Sequence, residues 1–160
     1  MKVEQLMTKR VVCCTPGDTL NDAARILWER DCGVVPVVDT DGSQRVVGML
    51  TDRDVCMAAY TQGLTLSQIR VRDAMSHGVQ SCRPGEDVSE AERTMRDAQL
   101  HRLPVVDEAE QLLGVISLAD IAREAAREAR SKRQEVTVAE VGETLAAISR
   151  ARESEAIVAA

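Results

Sequence analysis

Short apolar runs rich in β-branched residues alternate along this chain with longer stretches in which apolar residues recur every three or four positions. Leu103–Val106 and Leu112–Ile116 are two such runs, separated by a polar turn and followed by an amphipathic stretch that begins near Ser117. Short runs of this kind are typical of buried strands, and the longer spacing is typical of helices. This region therefore predicts a β-hairpin that leads directly into a helix.

The same pattern occurs twice along the chain. Residues 3–39 align without a gap with residues 71–107, and residues 46–54 align with residues 112–120. The small difference in length falls in the turn of the hairpin, where insertions disturb a fold least. The chain therefore contains one supersecondary unit written twice.

Each copy is predicted to form an αβαββα unit, giving a mixed α/β (α+β) fold. In the first copy the last helix should stop near Gly63, whereas its counterpart from Leu118 has no stop signal and should run on toward Gln134. The predicted domains are the repeats 1–63 and 64–130 and a tail 131–160. Within them, the predicted elements are short first helices at Val3–Met7 and Val71–Met75, strands at Val11–Thr15 and Val79–Arg83, and a last helix of the first copy at Asp52–Tyr60.

The tail has the pattern of a further helix. Thr137 and Glu140 have the spacing of a capping box, and apolar residues follow at roughly heptad spacing. The apolar stripe is narrow, and Gly142 interrupts it. A helix docked on the globule or on a second subunit, and a frayed tail, are both compatible with this pattern.

Charge and composition narrow the possible functions. The net charge is −6, with one Trp, one Tyr and no Phe, so the basic clusters and stacking rings of a nucleic-acid surface are not expected. Without a signal peptide or a long apolar run, the chain is expected to be cytoplasmic and not membrane-bound. Cys14 and Cys82 occupy equivalent strand positions and are predicted to be small buried hydrophobic residues, with the thiols reduced.

An enzyme is the weaker hypothesis. The two histidines, His77 and His101, have no carboxylate or cysteine at ligand spacing. The sequence also has no Walker or Rossmann glycine pattern. We therefore expect a non-catalytic protein.

The most informative motif is Gly48-Met49-Leu50-Thr51-Asp52-Arg53-Asp54, repeated as Gly114 to Asp120. In each, a glycine allows close backbone approach, and a hydroxyl and a carboxylate follow at the start of a helix. Unpaired amides and the positive end of the helix dipole make that position suitable for an anion. The same spacing is also a helix capping box, as at Thr19 and Asp22. Both interpretations remain open at this level.

Taken together, the phrases M-[TS], V-x-x-x-x-P-G, P-V-V-D and G-h-h-[TS]-x-x-D, present in full in both copies, resemble a tandem CBS (cystathionine-β-synthase) domain protein, or Bateman module. The resemblance implies two repeats packed sheet to sheet about a pseudo-twofold axis, with two clefts between them. Such clefts commonly bind AMP, ADP or ATP, and sometimes S-adenosylmethionine or NAD. It also implies a homodimer.

The resemblance implies a role for particular residues. Asp54 and Asp120 would bind the ribose hydroxyls, and Thr51 and Ser117 the α-phosphate. His101, Arg102 and Arg53 would meet phosphates, with Mg²⁺ bound only alongside them. The first copy has Gly33-Val34 in place of His101-Arg102, so the two sites should differ. Adenine would lie against aliphatic residues, for which the candidates are Val11, Val12, Val35, Pro36, Val79, Leu103 and Pro104.

We therefore expect a stand-alone regulatory module that binds an adenine nucleotide and signals to an unknown effector protein through its conformation or assembly. One alternative is a dimerisation scaffold with vacant clefts. The other is a module that binds S-adenosylmethionine or NAD.

Overall fold

The computed structural model describes residues 1–130 and 134–150, and its elements follow the same order in both halves of the chain. The mixed α/β class and the two repeats predicted from the sequence are confirmed. The elements are α1 (Val3–Leu6), β1 (Thr8–Lys9), α2 (Leu20–Glu29), β2 (Val34–Val38), β3 (Val46–Thr51), α3 (Asp52–Gln62), a 3₁₀ turn (Val71–Asp73), α4 (Val88–Ala98), β4 (Arg102–Val106), β5 (Leu112–Ser117), α5 (Leu118–Glu128) and α6 (Val138–Ile148).

The two hairpins have the same register. Strand β2 pairs antiparallel with β3, with Val34 opposite Thr51, and β4 pairs with β5, with Arg102 opposite Ser117. The register shifts near the end of β2, and it shifts at the equivalent point of β4. Each hairpin leads directly into a helix whose first turn is capped by the last residue of the strand.

The predicted strands at Val11–Thr15 and Val79–Arg83 are wrong as regular strands, because each forms only one parallel bridge. Cys14 bridges to Val37, and Cys82 bridges to Val105. The chain leaves the sheet directly afterwards, since the amide of Thr15 donates to the Asp18 carboxylate at 2.7 Å and a Pro-Gly pair follows. Both cysteines are buried as predicted, and burial raises the pKa of each thiol to about 12.

The two repeats exchange their first segments. Val3 lies in the core of the second repeat, and Val71 lies in the core of the first. Thr8 pairs with Val115 of β5, and Ser76 forms the equivalent bridge to Met49 of β3. The repeats are therefore interlocked and related by a pseudo-twofold axis, and neither core is complete without residues from the other copy.

The motif glycines make this exchange possible. A Cβ on Gly114 would lie 2.6 Å from the carbonyl oxygen of Thr8, and one on Gly48 would lie 3.0 Å from that of Ser76. A contact under 3.0 Å forces something to move, because backbone carbonyls cannot swing away as side chains do. Glycine is therefore needed at position 114, and at position 48 a side chain would be tight against the Ser76 backbone.

The last helices of the repeats end differently. Helix α3 ends at Gly63 in the left-handed conformation, with φ 64°, as predicted. Helix α5 ends at Glu128, so its predicted continuation toward Gln134 is wrong within the described residues. The Glu128 carboxylate accepts hydrogen bonds from the amides of Glu135 and Val136, at 2.7 and 3.1 Å. These bonds turn the chain back toward the globule.

Helix α6 packs on α4 and α5, so among the described residues the docked alternative is the correct one for the tail. Thr144 is fully buried; its hydroxyl accepts from Arg96 at 3.2 Å and donates to Glu92 at 3.4 Å. The side-chain amide of Gln99 donates to the carbonyls of Ala147 and Arg150. Residues 151–160 of the predicted tail lie outside the described residues.

Candidate ligand-binding clefts

Two clefts lie between the repeats, and each takes residues from both of them. The first cleft, of about 440 Å³, brings Val11 and Val12 of the first repeat to Ser117 and Asp120 of the second. The second cleft, of about 840 Å³, brings Val79, His101 and Pro104 of the second repeat to Thr51, Arg53 and Asp54 of the first. The motifs and the aliphatic segments predicted to act together therefore meet across the repeat boundary.

In the second cleft, Asp54 has one carboxylate oxygen committed and one available. Its Oδ2 accepts from the Thr51 amide at 2.9 Å and from the Thr51 hydroxyl at 2.7 Å. The Asp54 amide in turn donates to that hydroxyl at 3.1 Å. Within residues 1–130 and 134–150, no hydrogen bond to Oδ1 is observed. This oxygen is a vacant acceptor at the start of a helix.

In the first cleft, Asp120 forms the same capping box, but both of its carboxylate oxygens have partners. Its Oδ2 accepts from the Ser117 amide at 2.9 Å and from the Ser117 hydroxyl at 2.6 Å. Its Oδ1 is paired with the guanidinium of Arg123. Because Arg123 is exposed and three residues away on the same helix, a ligand in this cleft has to share or replace that ion pair.

Both motifs are thus real capping boxes, and their position is what distinguishes them. The boxes at Thr19/Asp22 and Thr137/Glu140 have the same hydrogen bonds but line neither cleft. Among the capping boxes of the described residues, the two repeated motifs are those that place a hydroxyl and a carboxylate on the walls of these two clefts. A capping role and a ligand role are therefore compatible at these positions.

Arg102 lines both clefts. Its guanidinium lies against the backbone of Gly33 and donates to the Gly33 carbonyl at 3.4 Å. A Cβ on Gly33 would lie 3.0 Å from Nη2 of Arg102, so the glycine leaves room for this cation. Among the described residues, no carboxylate lies within 4.0 Å of Arg102. It is a charged donor without an internal anionic partner.

Three of the predicted adenine contacts do not line the clefts. Val35 and Leu103 are fully buried in the two cores and do not line a cleft, and Pro36 does not line the first cleft. For Val35 and Leu103 the reason is strand alternation, since successive side chains point to opposite faces. Val34, one position earlier, lines both clefts.

Three arginines and one histidine that line the clefts were not predicted from the sequence. Arg10 and Arg30 line the first cleft, and His77 and Arg150 line the second. Arg150 lies just after α6, so its place depends on how that helix docks. For Arg10 the repeat alignment carried a signal, since its equivalent is Gly78.

No helix in the described part of the chain is both long and apolar enough to cross a membrane.

The comparisons with known proteins agree with this architecture. The model of the CBS domain matches residues 3–60 and 71–127. The chain therefore belongs to the CBS domain family and carries two copies of the domain. It is 35% identical over 121 residues to the CBS domain-containing protein YhcV of Bacillus subtilis, covering 75% of this chain and 82% of that protein.

Two solved structures are also similar. CBSX2 in complex with AMP is 26% identical, with a TM-score of 0.69 and coverage of 81% of this chain and 98% of that chain. Hypoxic Response Protein I with two coordinated zinc ions is 29% identical, also with a TM-score of 0.69, and coverage is 77% and 98%. In the described residues of this chain, no group of three His, Cys, Asp or Glu side chains is placed to hold a metal ion.

Proposed function

We propose that this protein is a regulatory CBS pair that binds an adenine nucleotide in its inter-repeat clefts. The observation that carries the proposal is the pairing, in each cleft, of a helix-capping Ser or Thr and Asp with an arginine that has no carboxylate partner. Such a cleft offers an acceptor for ribose hydroxyls and donors for phosphates. We further propose that it acts in the cytoplasm by regulating another protein rather than by catalysis.

The second cleft has the chemistry for a complete nucleotide. The Oδ1 of Asp54, which has no hydrogen-bond donor among the described residues, can accept from the ribose hydroxyls, and Thr51 lines the same cavity. Arg53, His101 and Arg102 line the wall and can donate to phosphates. Hydrogen bonds to charged groups contribute about 1.5–3 kcal/mol each. Mg²⁺ would enter only with the phosphates of ADP or ATP.

Signalling would follow from the way each cleft is built. Because the two walls come from different repeats, a bound nucleotide would bridge them and favour one relative arrangement. The shift can be no larger than the ligand's differential affinity for the two arrangements. The similar CBSX2 structure, which holds AMP, supports an adenine nucleotide as the ligand.

We propose that the protein self-associates through α2 and α3. Trp28 on α2 is 88% exposed and Tyr60 on α3 is 80% exposed, and they are the chain's only Trp and Tyr. The equivalent helices of the second repeat are covered by α6. Arg25 and Glu29 flank Trp28 and carry opposite charges, so a second copy related by a twofold axis would bring unlike charges together.

A scaffold without a ligand is the second candidate function, and this exposed aromatic surface is the observation that favours it. S-adenosylmethionine fits less well, because the ligand is cationic at sulfur and the clefts are lined by arginines. NAD has both a ribose for the aspartate acceptor and phosphates for the arginines, so it is included in the ligand panel below.

A thermal-shift panel tests the proposal. AMP, ADP, ATP, NAD and S-adenosylmethionine are each added with and without Mg²⁺. At 100 times its dissociation constant a ligand adds about 2.7 kcal/mol of stability, which is about 5–10 °C for a domain of this size. We expect the largest shift from an adenine nucleotide. A flat panel with demonstrably empty clefts would favour the scaffold.

A further inference from the structure

Six residues with positive φ form three equivalent pairs in the two repeats. Asp31 and Gln99 have φ values of 47° and 51°, and Gln44 and Glu110 have 59° and 61°. The third pair is unlike the others. Its second-repeat member is Gly78, with φ 67°, whereas its first-repeat member is Arg10, with φ 58°. The fold therefore requires this conformation at position 10 and position 78.

Arginine is an unfavourable choice for that conformation. Its Cβ crowds the backbone there, whereas glycine has no such cost. The other non-glycine residues in this conformation are Asp, Gln and Glu in matching positions of both repeats, so among the described equivalent pairs only this one has glycine in one repeat and a long side chain in the other. Strain of this kind persists where the side chain serves another purpose.

The side chain of Arg10 has a place in the first cleft. It lines the cavity with Arg30 and Arg102, and Arg102 reaches it from the second repeat. Within residues 1–130 and 134–150, none of these three guanidiniums has a carboxylate oxygen within 4.0 Å. The acidic residues on the same wall are Asp31 and Asp120, and Asp120 is already paired with Arg123. Three unpaired like charges around one cavity are stabilised by a bound anion.

We propose that Arg10, Arg30 and Arg102 form a polyphosphate subsite in the first cleft. Three guanidiniums offer more donors than a single phosphate can use, so the subsite fits a chain of two or three phosphates. The first cleft would then prefer nucleoside di- or triphosphates over monophosphates. This preference rests on the proposed function, whereas the anion subsite itself does not.

Arg10→Gly is the variant that tests the subsite. It installs the residue that the second repeat has at the equivalent position. Because glycine adopts the left-handed conformation without strain, the melting temperature should stay the same or rise. Lys9→Ala is the matched control, since it removes the neighbouring positive charge from a side chain that does not line either cleft. Arg10→Lys keeps the charge but loses the planar fork.

Binding of ATP, AMP and inorganic tripolyphosphate is measured by calorimetry on the full chain, in the Asp54→Asn background to weaken the second cleft. We expect Arg10→Gly to weaken ATP and tripolyphosphate at least tenfold and AMP less than threefold. Lys9→Ala should change the affinity for each probe by less than threefold. The loss of affinity in Arg10→Lys should lie between the losses in Arg10→Gly and Lys9→Ala.

The outcomes separate the two proposals. Equal losses for ATP and AMP, or equal losses in Arg10→Gly and Lys9→Ala, would overturn the subsite while leaving nucleotide binding intact. Tripolyphosphate binding that depends on Arg10, without any nucleotide specificity, would support the subsite and contradict the proposed function. Absence of binding by all three probes would overturn the subsite.

Discussion

The two repeats have nearly the same fold but differ in what covers their helices. In the second repeat, Arg96 of α4 donates to Thr144 of α6, and Glu92 is buried beneath the same contact. The equivalent of Arg96 in the first repeat is Trp28, which is exposed, and no helix of the described chain packs on α2 and α3 in this way.

This difference shows how a duplicated unit can acquire two kinds of surface. A large exposed aromatic residue is unusual on a monomer surface and typical of interaction sites. The second repeat covers its helical face with α6 of the same chain, whereas the first leaves Trp28, the chain's only Trp, exposed. The repeats also differ in their clefts, since Asp54 has a vacant oxygen and Asp120 is paired with Arg123.

The largest expected effect comes from exchanging the residue that distinguishes the two faces. Trp28→Arg installs the residue found at the equivalent position, Arg96. Because buried aromatic anchors contribute about 2–4 kcal/mol at interfaces, we expect the dimer dissociation constant to rise about 30-fold or more. Light scattering over a concentration series measures this.

The control for this experiment is Leu145→Ala, which removes a half-exposed apolar side chain from α6, a helix outside the proposed interface. The wild-type fluorescence, which comes mostly from Trp28, should shift to shorter wavelength as the concentration rises. A monomer at all concentrations, or a dimer unaffected by Trp28→Arg, would contradict this part of the account.

The motif glycines provide the next comparison. Gly114→Ala places a Cβ 2.6 Å from the backbone carbonyl of Thr8, whereas in Gly48→Ala the shortest contact, 2.7 Å, is to the flexible side chain of Met75. We expect Gly114→Ala to lower the free energy of unfolding by about 1–3 kcal/mol. Chemical denaturation should show a smaller loss for Gly48→Ala. Equal losses of stability in the two variants would mean that the two close backbone contacts are equally rigid.

The smallest expected effect is on the pH dependence of stability, and it concerns Glu92, whose counterpart in the first repeat is Ala24. Burial, and secondly the charge of Glu140, raise the pKa of the Glu92 carboxyl above its usual 4.5. The native state therefore holds this proton more tightly than the unfolded state. The resulting stabilisation is present below the unfolded pKa and is lost as pH rises through the folded pKa.

Glu92→Gln removes that titration. We expect the free energy of unfolding of the wild type, relative to the variant, to decline as the pH rises above the ordinary carboxyl pKa of 4.5 and through the raised pKa of the folded state. The control is Glu143→Gln, an exposed position on α6. A difference between Glu92→Gln and wild type that does not depend on pH would show that Glu92 keeps one protonation state in the fold.

Much of this architecture could be predicted because the sequence repeats. Alignment of the copies indicated the hairpins, the stop at Gly63 and the two hydroxyl–carboxylate motifs. Local patterns did not determine which face of a strand meets the cleft, since Val34 and Val35 are both apolar and buried and only pairing fixes their direction. The exchange of Val3 and Val71 between cores was also hidden, because it depends on contacts between distant segments.

The docking of the tail and the arginine cluster of the first cleft could not be predicted from the sequence either. The capping box at Thr137 indicated a helix, but its docking depends on Thr144 meeting Glu92 and Arg96 of a distant helix. Arg10 and Arg30 are charged residues in polar stretches, and only the fold brings them to the cavity that holds Arg102. The contrast between Arg10 and Gly78 was visible in the alignment, but its meaning required the backbone angles.

The most direct test of the central claim is a calorimetric titration of the strongest nucleotide of the panel against matched Asp→Asn variants. Asp54→Asn and Asp120→Asn alter capping boxes on the cleft walls, and Asp22→Asn alters the same kind of cap away from both clefts. We predict at least tenfold weaker binding at the altered cleft and unchanged binding in Asp22→Asn. Equal affinity in all three variants and the wild type would contradict ligand binding by the repeated motifs.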